Sequence, residues 1–243
     1  MNIFFVIFYQ PIFNLLVWLY NIIPGHDLGV AIILLTLIIR LLLYPLSKKA
    51  IQSQKSLSEL QPAIEEIKEK YKDDKEKMGP EIMGLYKEKK INPFSSCLPM
   101  LIQLPFLFAI YRVFFNGLTK EDSMSALYGF IYNPGMMDTM AFGFFNLAEK
   151  SIVLAVLAGA AQFWQSKMMV AKKKPGGGGG MAGAMGTQMV YIMPVITIVI
   201  GSQFPAGLTF YWLLTTLFSV AQQYLVLGKK KKKDSEPEVV DQK

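Results

Sequence analysis

An arginine within a long apolar stretch limits what this chain can fold into more than any other feature. The stretch LGVAIILLTLIIRLLLYPL, residues 28–46, contains Arg40 and no acidic residue. An apolar stretch of this length can cross a bilayer as a helix, since about 20 residues suffice. An arginine inside such a helix costs about 3 kcal/mol or more. The sequence therefore predicts a membrane span whose arginine requires a partner, a wet cavity or a function.

The whole chain is too apolar for an ordinary soluble domain. Hydrophobic residues make up 52% of the 243 residues, and they occur in long blocks. This pattern indicates an integral membrane protein. One cysteine and one histidine are too few for an internal disulfide or a His/Cys metal site. The sequence contains no HExxH, GxSxG or phosphate-loop motif, so we expect neither an enzyme nor a cofactor.

The predicted fold is an all-α polytopic membrane protein with a five-span core. The spans are expected at residues 28–46, 96–115, 151–170, 188–204 and 206–227. The connecting segments are expected to be a cytosolic helical hairpin at 47–95, an extracytosolic loop at 116–150, a cytosolic Gly-rich linker at 171–187 and a basic disordered cytosolic tail at 228–243.

Residues 1–27 form an apolar segment followed by a turn, and two interpretations are open for them. The segment 1–23 fits either a further span or an amphipathic helix lying in the membrane interface. Tyr9, Trp18 and Tyr20 are typical of an interface. No Lys or Arg precedes the segment to hold it in the cytosol, which favours the interfacial helix.

The distribution of basic residues predicts the orientation in the membrane. The hairpin, the segment 167–174 and the tail together carry 21 of the 25 Lys and Arg residues. These segments alternate with loops that are poor in basic residues. Because short basic loops remain in the cytosol, we expect the N-terminus outside and the C-terminus in the cytosol.

The predicted hairpin is a long charged segment with a regular apolar pattern. Apolar residues recur at spacings of three and four on either side of a predicted turn at Asp73 and Asp74, as on one face of amphipathic helices. They are Leu57, Leu60, Ile64, Ile67, Tyr71, Ile82 and Leu85. The alternative is a solvated charged linker, but this periodicity favours a pair of helices.

Several predicted spans carry uncharged polar residues on one face. The candidate groove residues are Arg40, Thr36, Tyr44, Gln103, Gln162, Gln165, Trp212, Thr216, Ser219 and Gln223. Each polar face taken singly fits helix–helix contacts, and Arg40 alone fits a side chain that reaches toward the interface. Together they favour a water-filled recess that hydrates the guanidinium. Such a groove, open to the cytosol, would suit a peptide that carries acidic or polar residues. A small channel or transporter is the alternative, but the spans contain no acidic residues for ion coupling.

Four segments of the sequence resemble the YidC/Oxa/Alb family of membrane protein insertases. The run INPFSSCLPMLIQLPFLFAIY at residues 91–111 is similar to the family signature. The runs LLTLIIRLLLYPLSKKA, GLYKEKKINP and FPAGLTFYWLLTTLFSVAQQYL resemble the first core span, the end of the cytosolic hairpin and the last span. The resemblance covers residues 8–228 in order and indicates a short bacterial form.

The resemblance implies a function and a set of partners. The family inserts and helps to fold nascent membrane proteins in the bacterial cytoplasmic membrane without ATP hydrolysis, alone or beside the Sec translocon. It implies an N-terminal interfacial helix, a groove holding Arg40, and a hairpin that receives nascent chains with acidic or polar translocated segments. We expect the protein to act as a monomer among membrane lipids. The tail lysines Lys229, Lys230, Lys231, Lys232 and Lys233 fit a ribosome contact or anionic lipid equally well.

Overall fold

The structure is a computed structural model that describes residues 3–92, 98–117, 121–169 and 181–234. Within these residues the chain forms eight α-helices. They are α1 (Gln10–Ile22), α2 (Leu28–Leu42), α3 (Tyr44–Lys70), α4 (Lys75–Glu88), α5 (Leu98–Arg112), α6 (Ile152–Met169), α7 (Met181–Gly201) and α8 (Ala206–Asp234). A π-helical turn (Phe5–Tyr9) leads into α1, and a second one (Val113–Gly117) extends α5. A 3-10 helix (Glu121–Ala126) and a two-stranded antiparallel hairpin, β1 (Met140–Ala141) and β2 (Phe145–Asn146), lie between α5 and α6.

Helix α2 ends in a sharp bend. The chain turns by 69° between α2 and α3, with Leu43 at the break. Pro45 lies in the first turn of α3, and its ring nitrogen has no hydrogen to continue the hydrogen bonds of α2. The predicted span 28–46 is therefore the straight helix α2 plus the first residues of α3. The hairpin segment predicted from residue 47 starts inside a helix that begins at Tyr44.

Two helices among the described residues are long and apolar enough to cross a membrane. They are Phe5–Ile22 and Ala206–Leu227, and the bent pair α2–α3 is a third if it counts as one span. Gln103–Phe115 and Val190–Gly201 are shorter apolar helices. The chain is thus a mainly helical protein with two or three candidate membrane spans. Placement of the N-terminal helix in the interface stays a prediction.

The core lies along α2, which packs against both α1 and α8. Its fully buried side chains include Phe13, Leu16, Leu28, Ile32 and Tyr211. Helix α6 packs against α8, and α7 packs against α6. A side chain at Gly159 would collide with Ile198 and with the carbonyl of Pro194, so α6 and α7 approach at the distance that glycine permits.

The segment between α5 and α6 is fixed to α1 and α2 by side chains, and we call this region the loop end. Buried Asn14 donates from Nδ2 to the carbonyl oxygen of Ala126 at 2.9 Å and accepts from the amide of Tyr128 at 2.6 Å. The Tyr20 hydroxyl accepts from the amide of Asp138 at 2.9 Å. Asp27 caps α2 through the amide of Val30 and also accepts from a loop amide. These bonds fix the start of α2 to the loop.

The ends of two predicted segments differ from the structure. Helix α8 continues to Asp234, through the lysine run that was predicted to be a disordered tail, because lysine is a good helix former. Helix α7 begins at Met181, inside the predicted Gly-rich linker. Residue 170 at the end of the predicted third span, the remaining linker residues 171–180 and the chain from 235 onward lie outside the described residues.

Candidate functional site: a cavity at Arg40

A cavity of about 60 Å³ lies beside Arg40 at the bend between α2 and α3, and we call it the Arg40 cavity. A buried water requires roughly 10–15 Å³ of such space, so the cavity has room for several water molecules. Helices α2, α3, α5, α6 and α8 all contribute to its walls. The lining residues are Arg40, Leu43, Ser47, Ala50, Ile51, Gln54, Gln103, Gln165, Ser219, Gln222 and Gln223.

Arg40 is held by a neutral side chain. Its Nη2 donates to Oε1 of Gln103 at 3.2 Å, and Nε2 of Gln103 donates to the hydroxyl of buried Tyr211 at 3.1 Å. Among the described residues, no carboxylate forms an ion pair with Arg40. A guanidinium has five donors, and Gln103 accepts from only one of its nitrogens. Arg40 is therefore a cation beside the cavity, and within the described part of the chain its other donors find no acceptor.

Two consecutive glutamines of α8 form the most unusual part of the wall, and we call them the amide pair. Gln222 is 3% exposed and Gln223 is 2% exposed. Neither amide atom of Gln222, nor Oε1 of Gln223, has a hydrogen-bond partner within the described part of the chain. Leaving a buried amide atom unpaired costs about 1–3 kcal/mol. The hydrogen-bonding capacity of these buried amide atoms is thus not used within the described part of the chain.

Half of the ten predicted groove residues line this cavity: Arg40, Gln103, Gln165, Ser219 and Gln223. Thr36 and Thr216 are buried, but their hydroxyls donate to the carbonyls of Ile32 and Trp212 within their own helices. Threonine in a helix commonly satisfies itself in this way. Gln162 and Trp212 are half-buried outside the lining.

Tyr44 is separated from the cavity by the bend. The spacing of four between Arg40 and Tyr44 places two residues on one face only in a continuous helix, and α2 ends at Leu42. Tyr44 is exposed at the start of α3 instead. The same bend brings the next residues of α3 over the cavity. Ala50 and Ile51 are buried there, and Ser47 and Gln54 complete this wall.

The predicted hairpin residues lie on helices α3 and α4, which contact each other, except Tyr71, which caps the end of α3. The structure buries Leu57 and Ile64. It leaves the other members of the set half-buried, namely Leu60, Ile67, Tyr71, Ile82 and Leu85. The tail lysines 229–233 lie on the last turns of α8, beyond the part of that helix whose side chains the structure describes.

A helical membrane protein with a cationic, amide-lined cavity and a charged pair of helices is the class that this fold and site define. The chain belongs to the family of the 60Kd inner membrane protein, whose family model matches residues 18–234. The resemblance to the YidC/Oxa/Alb insertases that the sequence motifs indicate is therefore confirmed.

Relatives from three bacteria carry the name Membrane protein insertase YidC. The chain is 38% identical over 218 residues to the protein of Syntrophobacter fumaroxidans, covering 89% of this chain and 37% of that protein. It is 36% identical over 205 residues to that of Fusobacterium nucleatum, covering 84% and 87% of the two chains. It is 35% identical over 230 residues to that of Rickettsia africae, covering 91% and 39%. The chain thus spans less than half the length of two of these relatives and most of the third.

Proposed function

We propose that this protein is a non-enzymatic insertase and chaperone that inserts integral membrane proteins into the bacterial cytoplasmic membrane and helps them to fold. The observation that carries the proposal is the Arg40 cavity. It combines a cation without a carboxylate partner among the described residues and a polar wall, in a chain whose relatives bear the name insertase. A cation of this kind is costly in lipid and is tolerated where it serves a function.

The proposed topology has five spans, formed by α2, α5, α6, α7 and α8. Helix α5 with its π-helical extension runs from Leu98 to Gly117, which at about 1.5 Å per residue matches the roughly 30 Å of a hydrocarbon core. Helices α6 and α7 have 18 and 21 residues. The α1 helix lies in the outer interface, the N-terminus lies outside, and the α3–α4 pair, the bend and the C-terminus lie in the cytosol. The basic residues of the hairpin, the segment 167–174 and the tail support this orientation.

The proposed mechanism needs no chemical step. The α3–α4 hairpin receives a hydrophobic segment of a nascent chain, and Arg40 attracts acidic residues that flank it. The wet cavity lowers the cost of carrying these polar residues partly through the membrane. The hydrophobic segment then moves into lipid, where transfer contributes about 25 cal/mol per Å² of apolar surface. This driving force makes ATP unnecessary.

The proposed partners follow from the same charges. Nascent membrane proteins with acidic or polar translocated segments occupy the groove, and lipids surround the spans. Lysines 229–233 contact ribosomal RNA or anionic lipid, and the monomeric protein acts alone or beside the Sec translocon.

Reconstitution with substitutions at Arg40 tests the proposal. Liposomes containing the protein should insert a single-span substrate with an acidic translocated tail, and protection of the tail from protease measures insertion. Arg40→Ala should reduce the protected fraction about tenfold, while Arg40→Lys should retain most of it because a positive charge suffices for attraction. Equal insertion by the protein and by Arg40→Ala would overturn the role of the charge. Solute flux without tail protection would indicate a channel instead.

A further inference from the structure

The ligand that suits the amide pair differs from the acidic side chain that suits Arg40. A carboxylate offers only acceptors and therefore needs donors. The unpaired atoms of the amide pair are two acceptor oxygens, one on Gln222 and one on Gln223, and a single donor, Nε2 of Gln222. Acceptor oxygens do not stabilise a carboxylate, so this part of the wall is poorly suited to the acidic residues that Arg40 attracts.

A polypeptide main chain matches the amide pair. Each peptide unit offers one N–H donor and one carbonyl acceptor, and a glutamine side chain likewise offers both donors and an acceptor. Unpaired main-chain groups cost several kcal/mol each in a bilayer. The polar flank of an inserting segment has no helix to satisfy its main chain, so it benefits from a wall that supplies both kinds of partner.

The size of the cavity favours an extended chain. An α-helix with its side chains is roughly 10–12 Å across, and a cavity of about 60 Å³ is far too small for it. A peptide unit or one short side chain is the scale of ligand that this cavity admits. The unpaired atoms of Gln222 and Gln223 are shielded from solvent, so these side chains turn toward the cavity to bond it.

We propose that Gln222 and Gln223 form a subsite that binds main-chain amide groups of the extended segment flanking an inserting helix. This proposal rests on the insertase function proposed above. The groove then has two recognition elements. Arg40 selects acidic side chains, and the amide pair accepts any sequence through its backbone, which extends the substrates to those with neutral translocated tails.

The double variant Q222L/Q223L tests the subsite through two readouts of opposite sign. Removing unpaired buried amides at similar shape relieves their cost, so the thermal unfolding midpoint in detergent should rise by about 2–4 °C. Insertion of a substrate with a neutral Gly/Ala tail into liposomes should fall about fivefold, the size of effect expected for one or two lost hydrogen bonds. A purely structural pair would lower the midpoint, which would overturn the proposal. The exposed Gln203 at the opposite end of the fold provides the control Gln203→Leu, which should change neither readout.

A change in the substrate tests the same contact from the other side. Replacing alternate tail residues by proline removes main-chain N–H donors, and insertion by the unaltered protein should fall by a similar factor. The same substrate should show no additional loss with Q222L/Q223L, because the contact is already absent. Additive losses would overturn the proposal.

The two proposals fail separately. If Arg40→Ala impairs acidic tails while Q222L/Q223L inserts neutral tails like the unaltered protein, the subsite is wrong and the insertase function stands. If the unaltered protein inserts neither substrate, both proposals are overturned.

Discussion

The loop end and the Arg40 cavity both bury side-chain amides, but the amide at the loop end is hydrogen-bonded and those at the cavity have unpaired atoms within the described chain. Asn14 is 2% exposed, and both ends of its amide are bonded to the loop. Gln223 is equally buried, yet its carbonyl oxygen has no partner in the described chain. The two sites lie at opposite ends of α2, about 20 Å apart at 1.5 Å per residue.

The difference indicates that the loop end is the more rigid of the two regions. Burying an amide is costly until it is hydrogen-bonded, and a satisfied polar network is rigid. At the loop end this network joins α1, α2 and the connecting segment. At the Arg40 cavity the same kind of group keeps its bonding capacity, which suits a surface that must accept and release a ligand.

The largest expected effect comes from breaking the loop end. Asn14→Leu removes the bonds to Ala126 and Tyr128. Gln10 still donates to the Ala126 carbonyl, but the part-buried amide of Tyr128 loses its side-chain partner, so stability should fall by about 2 kcal/mol. Chemical unfolding in detergent measures the loss. Gln223→Leu is the matched control at the other end and should cause no loss. Equal destabilisation by both variants would erase the contrast between the two ends.

A smaller effect is expected from breaking the hydrogen bonds that link Arg40, Gln103 and Tyr211 at the cavity. Tyr211→Phe removes the hydroxyl that accepts from Gln103, which leaves the amide that holds Arg40 without its anchor. Stability should fall by about 1 kcal/mol, opposite in sign to the change expected for the amide pair. The exposed Tyr132 of the loop supplies the comparison Tyr132→Phe, for which no change is expected in the same unfolding measurement. A gain in stability from Tyr211→Phe would show that the bonded and unbonded amides of the cavity are equivalent.

The smallest expected effect lies on the exposed surface of the α3–α4 pair. Asp74 caps α4 by accepting from the Lys77 amide at 3.1 Å, and the Lys77 ammonium lies 2.8 Å from its other oxygen. Hydrogen bonds from the side chain and the amide of Lys77 lower the pKa of Asp74 from its usual value. A carboxyl whose pKa is lowered in the folded state stabilises it above the usual value and loses this contribution as the pH falls through the lowered pKa.

Asp74→Ala should therefore loosen the first turn of α4 at neutral pH only. Hydrogen exchange of residues 75–80, corrected for intrinsic rates and followed by mass spectrometry, measures this loosening. Protection should differ between variant and unaltered protein at pH 7 and converge in strong acid. A difference that persists in strong acid would mean that the cap does not act through the carboxylate.

The sequence predicted the polar residues that line the cavity better than the lining residues of α3. Arg40, Gln103, Gln165, Ser219 and Gln223 stood out because polar residues are conspicuous inside apolar helices. Gln222 follows Ser219 at a spacing of three, so the same rule could have included it. The α3 lining residues were not predicted because Lys48 and Lys49 indicate the end of a span in the sequence. The bend after α2 nevertheless places the start of α3 against the cavity beside Arg40.

The loop end was less accessible to sequence reasoning. Asn14 reads as an interruption of an apolar helix, and its partner Ala126 is 112 residues away along the chain. No local pattern encodes such a pairing, because the partner atom is a main-chain carbonyl that every residue possesses.

The bend at Leu43 makes α3 a lever with a short arm and a long arm. Its 27 residues span about 40 Å, and Ile51 lies about 12 Å from the pivot at the same rise of 1.5 Å per residue. For a rigid helix turning about Leu43, a displacement of about 10 Å at Lys70 moves the wall at Ile51 by about 3 Å. The geometry reduces a large movement of the charged tip to roughly the width of one water molecule at Arg40.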